Sequence, residues 1–460
     1  MDKHKFHPSV LREYDIRGVV GDTLSTDDAY AVGRGIGSAI SRNGGTRATV
    51  GYDGRLSSPA MAAALSEGLK DCGLLVLKVG LGPTPLLYFS VFHLETDGGV
   101  MVTGSHNPPE YNGFKMMVGR DSYHGELIQN LGDEAAAGRW VSGKGAIEDI
   151  DLNADYVAKL AGAYQSDVGL NVVWDCGNGA GGDVVQALVK QLPGAHYLLN
   201  EEIDGTFPAH HPDPTVAENL LQLQEAVAAK QADLGIAFDG DGDRIGVIDG
   251  QGRILWGDQL ISILARDVLV DHPGASIIAD VKASQVLFDE IAAAGGKPVM
   301  HRTGHSHIKG KMKELQAPLA GEMSGHIFFA DKYYGYDDAQ YVAVRFLDLL
   351  ARHGVTAAEY YDRLPKVINT PEIRFDCADD RKFKVVDEVK AELSASGADV
   401  NDIDGVRVNN ADGWWLLRAS NTQPALVARC ESKSEAGLAR LKQQLANAIS
   451  GAGLDSSTIY

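Results

Sequence analysis

Cysteine is scarce in this chain, and what there is lies scattered. Cys72, Cys176, Cys377 and Cys430 show no CxxC spacing. That excludes a disulfide-built scaffold and leaves reduced thiols in a cytosolic protein as the simplest account. Positive charge is also short: 42 Lys and Arg stand against 62 Asp and Glu, for a formal charge of −20. Such a surface disfavours nucleic acid or an anionic membrane as a partner. A small anionic substrate stays possible, because a few local cations can dominate one cleft. No uninterrupted apolar run is long enough to span a bilayer. The first residues, Met-Asp-Lys-His-Lys, lead into no signal-like apolar stretch. A cytoplasmic location is therefore expected.

Several enzyme signatures are missing as well. No GxSxG elbow surrounds a serine, which argues against an α/β-hydrolase. No GxxxxGK[ST] is present; Gly304 to Lys311 has the wrong spacing and lacks the hydroxyl, which removes the P-loop kinases. Gly33-Arg34-Gly35-Ile36-Gly37 follows a helix start at Ser25–Asp28 rather than a strand. It reads as a closely packed helix and not as a dinucleotide fingerprint. His301, His305 and His307 have no carboxylate or cysteine at close spacing to complete a zinc site. His305 reads instead as a cleft residue.

What is present is an ordinary soluble composition, 44% apolar and 23% charged over 460 residues, long enough for three or four domains. Strands ending in aspartate recur: Ala48 to Asp53, Asn171 to Asp175 and Ser276 to Asp280. Each is followed by a helix-like stretch (Pro59 to Cys72, Asp183 to Gln191, Ser284 to Ala294). A second strand follows (near Leu75–Val79, His196–Leu199 and Pro298–His301), then another helix and a third strand. The alternation predicts an α/β protein of three similar units with mixed or parallel sheets. Ligands of such sheets gather beyond the carboxyl ends of the strands. The last quarter differs. Short strands at Gly405–Asn409, Trp414–Arg418 and Ala425–Cys430 and a helix from Ser434 to Ile449 predict a small α+β domain. The boundaries drawn are 1–151, 152–253, 254–365 and 366–460.

The three third strands end in the most polar loops of the chain. The densest is Asp239-Gly240-Asp241-Gly242-Asp243-Arg244, delivered by the apolar Leu234–Phe238. Alternate carboxylates repel unless a cation holds them, and the glycines let the backbone fold tightly enough for them to converge. Oxygen-only ligands suit a hard divalent ion, Mg²⁺ or Ca²⁺. An EF-hand would need Gly at the sixth position and Glu at the twelfth, where Arg244 and Gly250 stand. Mg²⁺ most often meets a phosphate. The other loops are Thr103-Gly104-Ser105-His106-Asn107-Pro108 and Gly321-Glu322-Met323-Ser324-Gly325-His326. Ser105 can be a nucleophile if a base or metal activates it, or simply a helix cap. In the last quarter, Arg418-Ala419-Ser420-Asn421-Thr422 offers a guanidinium fork and hydroxyls that suit phosphate, or a polar hairpin turn.

These four loops, in this order over the whole chain, resemble the motifs of the α-D-phosphohexomutases, most closely the bacterial phosphomannomutase/phosphoglucomutase branch. Tyr14-Asp15-Ile16-Arg17-Gly18 is a fifth, weaker match. The resemblance implies a heart-shaped monomer with four domains around a central cleft, acting on a small phosphosugar. It implies that Ser105 is carried as a phosphoserine, and that Asp239, Asp241 and Asp243, with a phosphoserine oxygen, bind Mg²⁺. Arg244 would hold the same phosphoryl group. Glu322 and Ser324 would grip two neighbouring sugar hydroxyls, and Arg418, Ser420, Asn421 and Thr422 the non-reacting phosphate, with Lys282 and Tyr14 as further phosphate contacts. The reaction implied passes a phosphoryl group from Ser105 to a hexose 1-phosphate. The resulting 1,6-bisphosphate (glucose 1,6-bisphosphate serving as activator) turns over in the cleft and rephosphorylates the enzyme, releasing hexose 6-phosphate. Lys115 and His326, with Arg17 and His305 near by, are the candidates for the general acid/base. Two other readings stay open: a phosphoglucosamine mutase, in which Gln usually replaces Met323, and a catalytically silent metal- and phosphosugar-binding protein.

Overall fold

The computed structural model describes residues 3–421 and 423–459. The first unit runs β1 (Ile16–Val19), α1 (Thr26–Arg42), β2 (Arg47–Tyr52), α2 (Ser58–Lys70), β3 (Leu75–Leu81), α3 (Thr84–His93) and β4 (Gly98–Val102). It continues through β5 (Tyr111–Val118), β6 (Asp121–Ser122), α4 (Glu126–Ala137) and β7 (Ala146–Asp149). The second holds α5 (Asn153–Ala161), β8 (Leu170–Asp175), α6 (Gly182–Leu188), β9 (Gly194–Leu199), α7 (Leu221–Lys230), β10 (Leu234–Phe238), β11 (Ile245–Asp249) and β12 (Ile254–Leu255). The third holds α8 (Gly257–Asp271), β13 (Ser276–Asp280), α9 (Gln285–Ala293), β14 (Lys297–His301) and α10 (His305–Leu315). It closes with β15 (Leu319–Gly321), β16 (Ile327–Phe329), α11 (Ala339–His353) and α12 (Ala357–Arg363).

The three units repeat one topology. In each, a central strand (β2, β8, β13) pairs in parallel with the next strand (β3, β9, β14) on one side and with the third (β4, β10, β15) on the other. A fourth strand (β5, β11, β16) then returns antiparallel to the third. The sheets are therefore mixed, and each polar loop is the turn between an inner parallel strand and its antiparallel partner. β10 and β4 are buried along their whole length, as strands covered on both faces must be. The second sheet reaches Leu255 through β12, past the expected edge at residue 253.

Helix starts follow capping chemistry. Ser25 and Asp28 form a capping box on α1, and Ser284 caps α9. Gly33 and Gly37 lie where α1 meets α2; a Cβ on Gly33 would come within 2.2 Å of the Leu65 carbonyl. The glycine run is thus a helix–helix contact, as its setting predicts.

The last unit comprises β17 (Ile368–Asn369), β18 (Ile373–Asp376), α13 (Lys382–Ser396), β19 (Asp399–Asn401), β20 (Val406–Asn410), β21 (Gly413–Ala419), β22 (Ala425–Ser432) and α14 (Glu435–Gly451). Its strands pair antiparallel throughout, with α13 and α14 over an apolar core that includes Val385, Leu417, Leu426 and Leu441. Units one to three, by contrast, share a continuous core. Leu87 and Phe89 of α3, Tyr156 of α5, Trp174 of β8, Leu264 of α8 and Phe346 of α11 belong to one cluster. The four cysteines are buried and unpaired. Among the described residues, no helix is long and apolar enough to cross a membrane.

Candidate active site

The loop after β4 holds Ser105 buried and in left-handed backbone geometry, φ +50°. A non-glycine residue keeps that conformation only when its surroundings impose it. Here they do. The Ser105 N–H donates to Thr103 Oγ1 at 2.8 Å. Arg55, fully buried, donates to the carbonyls of Ser105, Asn107, Pro108 and Tyr111 while paired with Asp53. Ser105 Oγ donates to Asp239 Oδ2 at 3.1 Å and lies 3.1 Å from His106 Nδ1. Burial, then the charges of Arg244 and Arg17, hold His106 well below the usual histidine pKa, so its ring is neutral.

The acidic loop after β10 faces that serine. Asp239 Oδ1 accepts the N–H groups of Asp243 and Arg244 at 3.0 and 3.1 Å, folding the turn on itself. Gly242 takes φ +73°, and a Cβ on Gly240 would meet the Ser105 carbonyl at 2.6 Å. Both glycines are thus required for the two loops to touch. Carboxylate oxygens of Asp239, Asp241 and Asp243 lie within 4.8 Å of one another. Lys115 Nζ donates to Asp241 Oδ2 at 2.7 Å and to Asp243 Oδ2. Of the other oxygens, Asp241 Oδ1 is buried without a hydrogen-bond donor, and Asp243 Oδ1 faces His326 Nε2 at 3.2 Å. Burial and repulsion from Asp241 and Asp243 push the Asp239 carboxyl well above the usual range. Three converging buried carboxylates, with Asp241 Oδ1 left unsatisfied, are the oxygen donor set a hard divalent cation needs.

In the third unit, the turn between β15 and β16 presents Glu322, Ser324 and His326. Glu322 Oε1 accepts the Gly304 N–H at 2.6 Å and Oε2 lies 2.9 Å from His326 Nδ1. Burial opposes its charge, but His326 outweighs it and holds the carboxyl at about 2. Ser324 Oγ is 3.3 Å from His326 Nδ1. His326 Nε2 lies 3.2 Å from Asp243 Oδ1, which joins this turn to the acidic loop. Burial lowers the His326 pKa, Asp243 and Glu322 raise it, and the net value is about 9. His305 stacks on His326 at 5.6 Å and is held neutral by burial and Lys309.

The fourth unit closes the ring. Arg418 Nε donates to Asp404 at 2.9 Å, and Lys282 Nζ to Glu372 at 3.2 Å. Asn421 donates to the Tyr14 hydroxyl, which donates in turn to the Thr303 carbonyl at 2.7 Å. Residues of units one, three and four thereby meet at Tyr14. Arg17 donates to Asn107 and pairs with Asp15. One cavity of about 390 Å³ is lined by Tyr14, Arg17, Ser105, Lys115, Arg244, Lys282, His305, Glu322, Ser324, His326, Arg418, Ser420 and Asn421. The three aspartates are buried beside it. Thr422 lies outside the described residues.

Four family models, for domains I to III and the C-terminal domain of phosphoglucomutase/phosphomannomutase, match residues 9–129, 154–252, 256–368 and 372–448. The chain belongs to the phosphoglucomutase/phosphomannomutase family. It is 44% identical over 449 residues to a phosphomannomutase/phosphoglucomutase of Pseudomonas aeruginosa, covering 98% of this chain and 96% of that one. It is 41% identical over 439 residues to a phosphoglucomutase of Neisseria gonorrhoeae, covering 95% of each. A crystal structure of a phosphoglucomutase/phosphomannomutase family protein from Burkholderia thailandensis superposes with a TM-score of 0.92 at 41% identity, covering 97% of this chain and 98% of that one.

Within this phosphohexomutase, the sequence reading omitted several residues that shape the site. His106 touches the serine hydroxyl and was visible beside it in the motif. Arg55 follows the strand-end Asp53 by two residues, but its partners are backbone carbonyls about fifty residues away, which no side-chain pattern records. Asp337 pairs with Lys309 at 3.0 Å and faces His305 and His326 from 3.5 and 4.0 Å. Nothing in its neighbours along the chain marks it.

Proposed function

We propose that the protein interconverts hexose 1-phosphate and hexose 6-phosphate, on glucose and mannose, through a phosphoserine at Ser105 and a hexose 1,6-bisphosphate. The observation that carries this reading is the convergence of four loops from four units on one cavity, with the Ser105 hydroxyl against the acidic loop. Asp239, Asp241 and Asp243, with a phosphoserine oxygen, would hold Mg²⁺, which supplies charge stabilisation to the phosphoryl group in transfer. Arg244 holds phosphoryl oxygens on the same side. Glu322 and Ser324 accept and donate to adjacent sugar hydroxyls, and both tolerate a sugar that has turned round. Lys282, Arg418, Ser420, Asn421, Thr422 and Tyr14 form the cradle for the distal phosphate.

His326 carries the proton of the attacking hydroxyl. Its pKa of about 9 is nearer to working pH than that of Lys115, whose burial penalty is outweighed by Asp241 and Asp243 so that its pKa rises further. A cation on Asp243 would offset the charge that most raises the His326 pKa and so would bring it down. Lys115 keeps its charge and anchors the acidic loop, while Glu322 orients the imidazole. Arg17 and His305 position the Ser105 loop and the His326 ring.

Met323 favours the glucose and mannose branch over a glucosamine substrate. It lines the cleft with a thioether held against Arg429 and offers no amide to an amino sugar. The buried, unpaired thiols support a cytoplasmic setting, and we propose that the protein works there as a monomer.

The test is a coupled assay with glucose 1-phosphate, mannose 1-phosphate and glucosamine 1-phosphate, Mg²⁺ and a trace of glucose 1,6-bisphosphate. Turnover of the first two, and its loss in Ser105→Ala together with the phosphoryl mass on the intact protein, is expected. A Ser105→Ala enzyme as fast as wild type would overturn the mechanism.

A further inference from the structure

Away from the acidic loop, a second group of metal-ligating side chains meets between the first and third units. Glu13 precedes β1, His124 lies between β6 and α4, and His307 sits in the first turn of α10. One ligand atom from each falls within 4.8 Å of the others. His307 Nε2 is 3.4 Å from Glu13 Oε1, and the rings of His124 and His307 meet edge to face at 5.0 Å. His124 Nδ1 is shut off from solvent and makes no hydrogen bond, while His307 Nε2, also shut off, faces only the Glu13 carboxylate, whose pKa it lowers. A buried imidazole nitrogen left without a partner is costly unless something binds it. The backbone prepares the arrangement: the Gly125 N–H donates to the Glu13 carbonyl at 2.7 Å, tying the two loops of the first unit together.

We propose that Glu13, His124 and His307 form a binding site for a borderline transition-metal ion of the Zn²⁺ class, bridging the first and third units. Two imidazoles and one carboxylate are a zinc donor set, with a fourth position left for water. Tetrahedral bonds of about 2.0–2.2 Å place ligand atoms roughly 3.3–3.6 Å apart. The Glu13–His307 separation already has that value, and the His124 ligand atom lies within 4.8 Å of both. The nitrogen ligands distinguish this site from the oxygen-only triad, which suits Mg²⁺. The chain spacing conceals the site, because Glu13 and His124 approach His307 only through the docking of the two units. Glu13 adjoins Tyr14, and His307 is two residues beyond His305. A bound ion would therefore tie the units together directly behind the cleft wall, where the ion pair between Lys313 and Asp121 on the same seam is exposed and weak.

The test is a Zn²⁺ titration of the full chain with the acidic triad held by excess Mg²⁺. Wild type, the pair His124→Gln/His307→Gln and the triad variant Asp239→Asn/Asp241→Asn are compared. Wild type and the triad variant are expected to bind one Zn²⁺ and to gain thermal stability from it, and the histidine pair to bind none under these conditions. Equal Zn²⁺ binding by the histidine pair and wild type would overturn the site. Cobalt gives a readout that needs no variant: Co²⁺ added to wild type under the same conditions should develop the intense visible bands of a four-coordinate centre. Only the faint bands of a six-coordinate oxygen site would reject the proposal.

Discussion

Arg55 decides whether Ser105 can hold its conformation. One guanidinium feeds four carbonyls of the serine loop from a fully buried position and is itself fixed by Asp53. Removing it leaves several buried acceptors and a carboxylate unpaired, each worth about 1–3 kcal/mol. Arg55→Ala should destabilise the protein by at least about 3 kcal/mol in urea unfolding. Arg55→Lys, a point charge without the fork, should fold but lose kcat by roughly 10²-fold through misplacement of Ser105. KM should change little, because Arg55 does not line the cleft. His326 makes a second claim at this scale. A proton acceptor must start unprotonated, so kcat should fall on the acid side as His326 takes up its proton. His326→Gln should lower kcat by about 10²–10⁴-fold and flatten that limb of the pH profile. The candidate site residues were legible in the sequence because phosphate and metal chemistry need dense local clusters of few residue types. Arg55 and Asp337 were not, because they act on atoms brought near only by folding.

At the scale of elements, the threefold repeat was legible through its strand ends, and the helices through their caps. The returning strands β5, β11 and β16 were not, since each is short or buried on both faces and so carries no alternation. They matter to the site because they make each functional loop a hairpin turn held at both ends. α13 also escaped notice: Val385, Val389 and Leu393 recur every four residues against the core of the last unit, but exposed Phe383 blurs the stripe. Helix α11 offers an element-scale prediction. Its N-cap Asp338 is buried and accepts from the Tyr341 N–H and from the Tyr156 and Tyr333 hydroxyls at 2.9, 2.9 and 2.7 Å. Burial outweighs those donors and raises its carboxyl to about 6 from 3.8. The native state therefore binds the proton more tightly than the unfolded chain does. Stability from this group is fully present below about pH 4 and is lost as pH rises through about 6, a cost of about 3 kcal/mol. Asparagine can keep the Oδ1 cap without the charge, but its amide NH2 replaces the oxygen that accepted from the Tyr156 and Tyr333 hydroxyls. Asp338→Asn should abolish that loss between pH 4 and 6, read as urea midpoints against pH.

Over the whole molecule, the shared core of units one to three contrasts with the separate core of the fourth, so the cleft depends on how the fourth unit is docked. That docking rests on two buried arginines. Arg407 donates to the Val281 and Ala283 carbonyls at 2.7 and 2.8 Å and lies 3.8 Å above the Trp414 ring. Arg429 donates to the Lys282 carbonyl at 2.6 Å. Burial brings Arg407 down to about 10, which still leaves it charged at neutral pH. Both arginines grip the segment that carries Lys282, and Arg407 stands on the strand paired with the one that carries Arg418. The proposed distal-phosphate cradle is thus aligned in part by Arg407, which lies outside the cleft. Arg407→Ala leaves two buried carbonyls unpaired and strips the charge from the Trp414 face. It should loosen the fourth unit without touching the serine or the acidic loop. The expected result is a KM for hexose phosphate raised by about tenfold or more, with Ser105 still phosphorylated by glucose 1,6-bisphosphate to the wild-type extent on the intact-mass spectrum. An unchanged KM would mean that Arg407 plays no part in aligning the cradle.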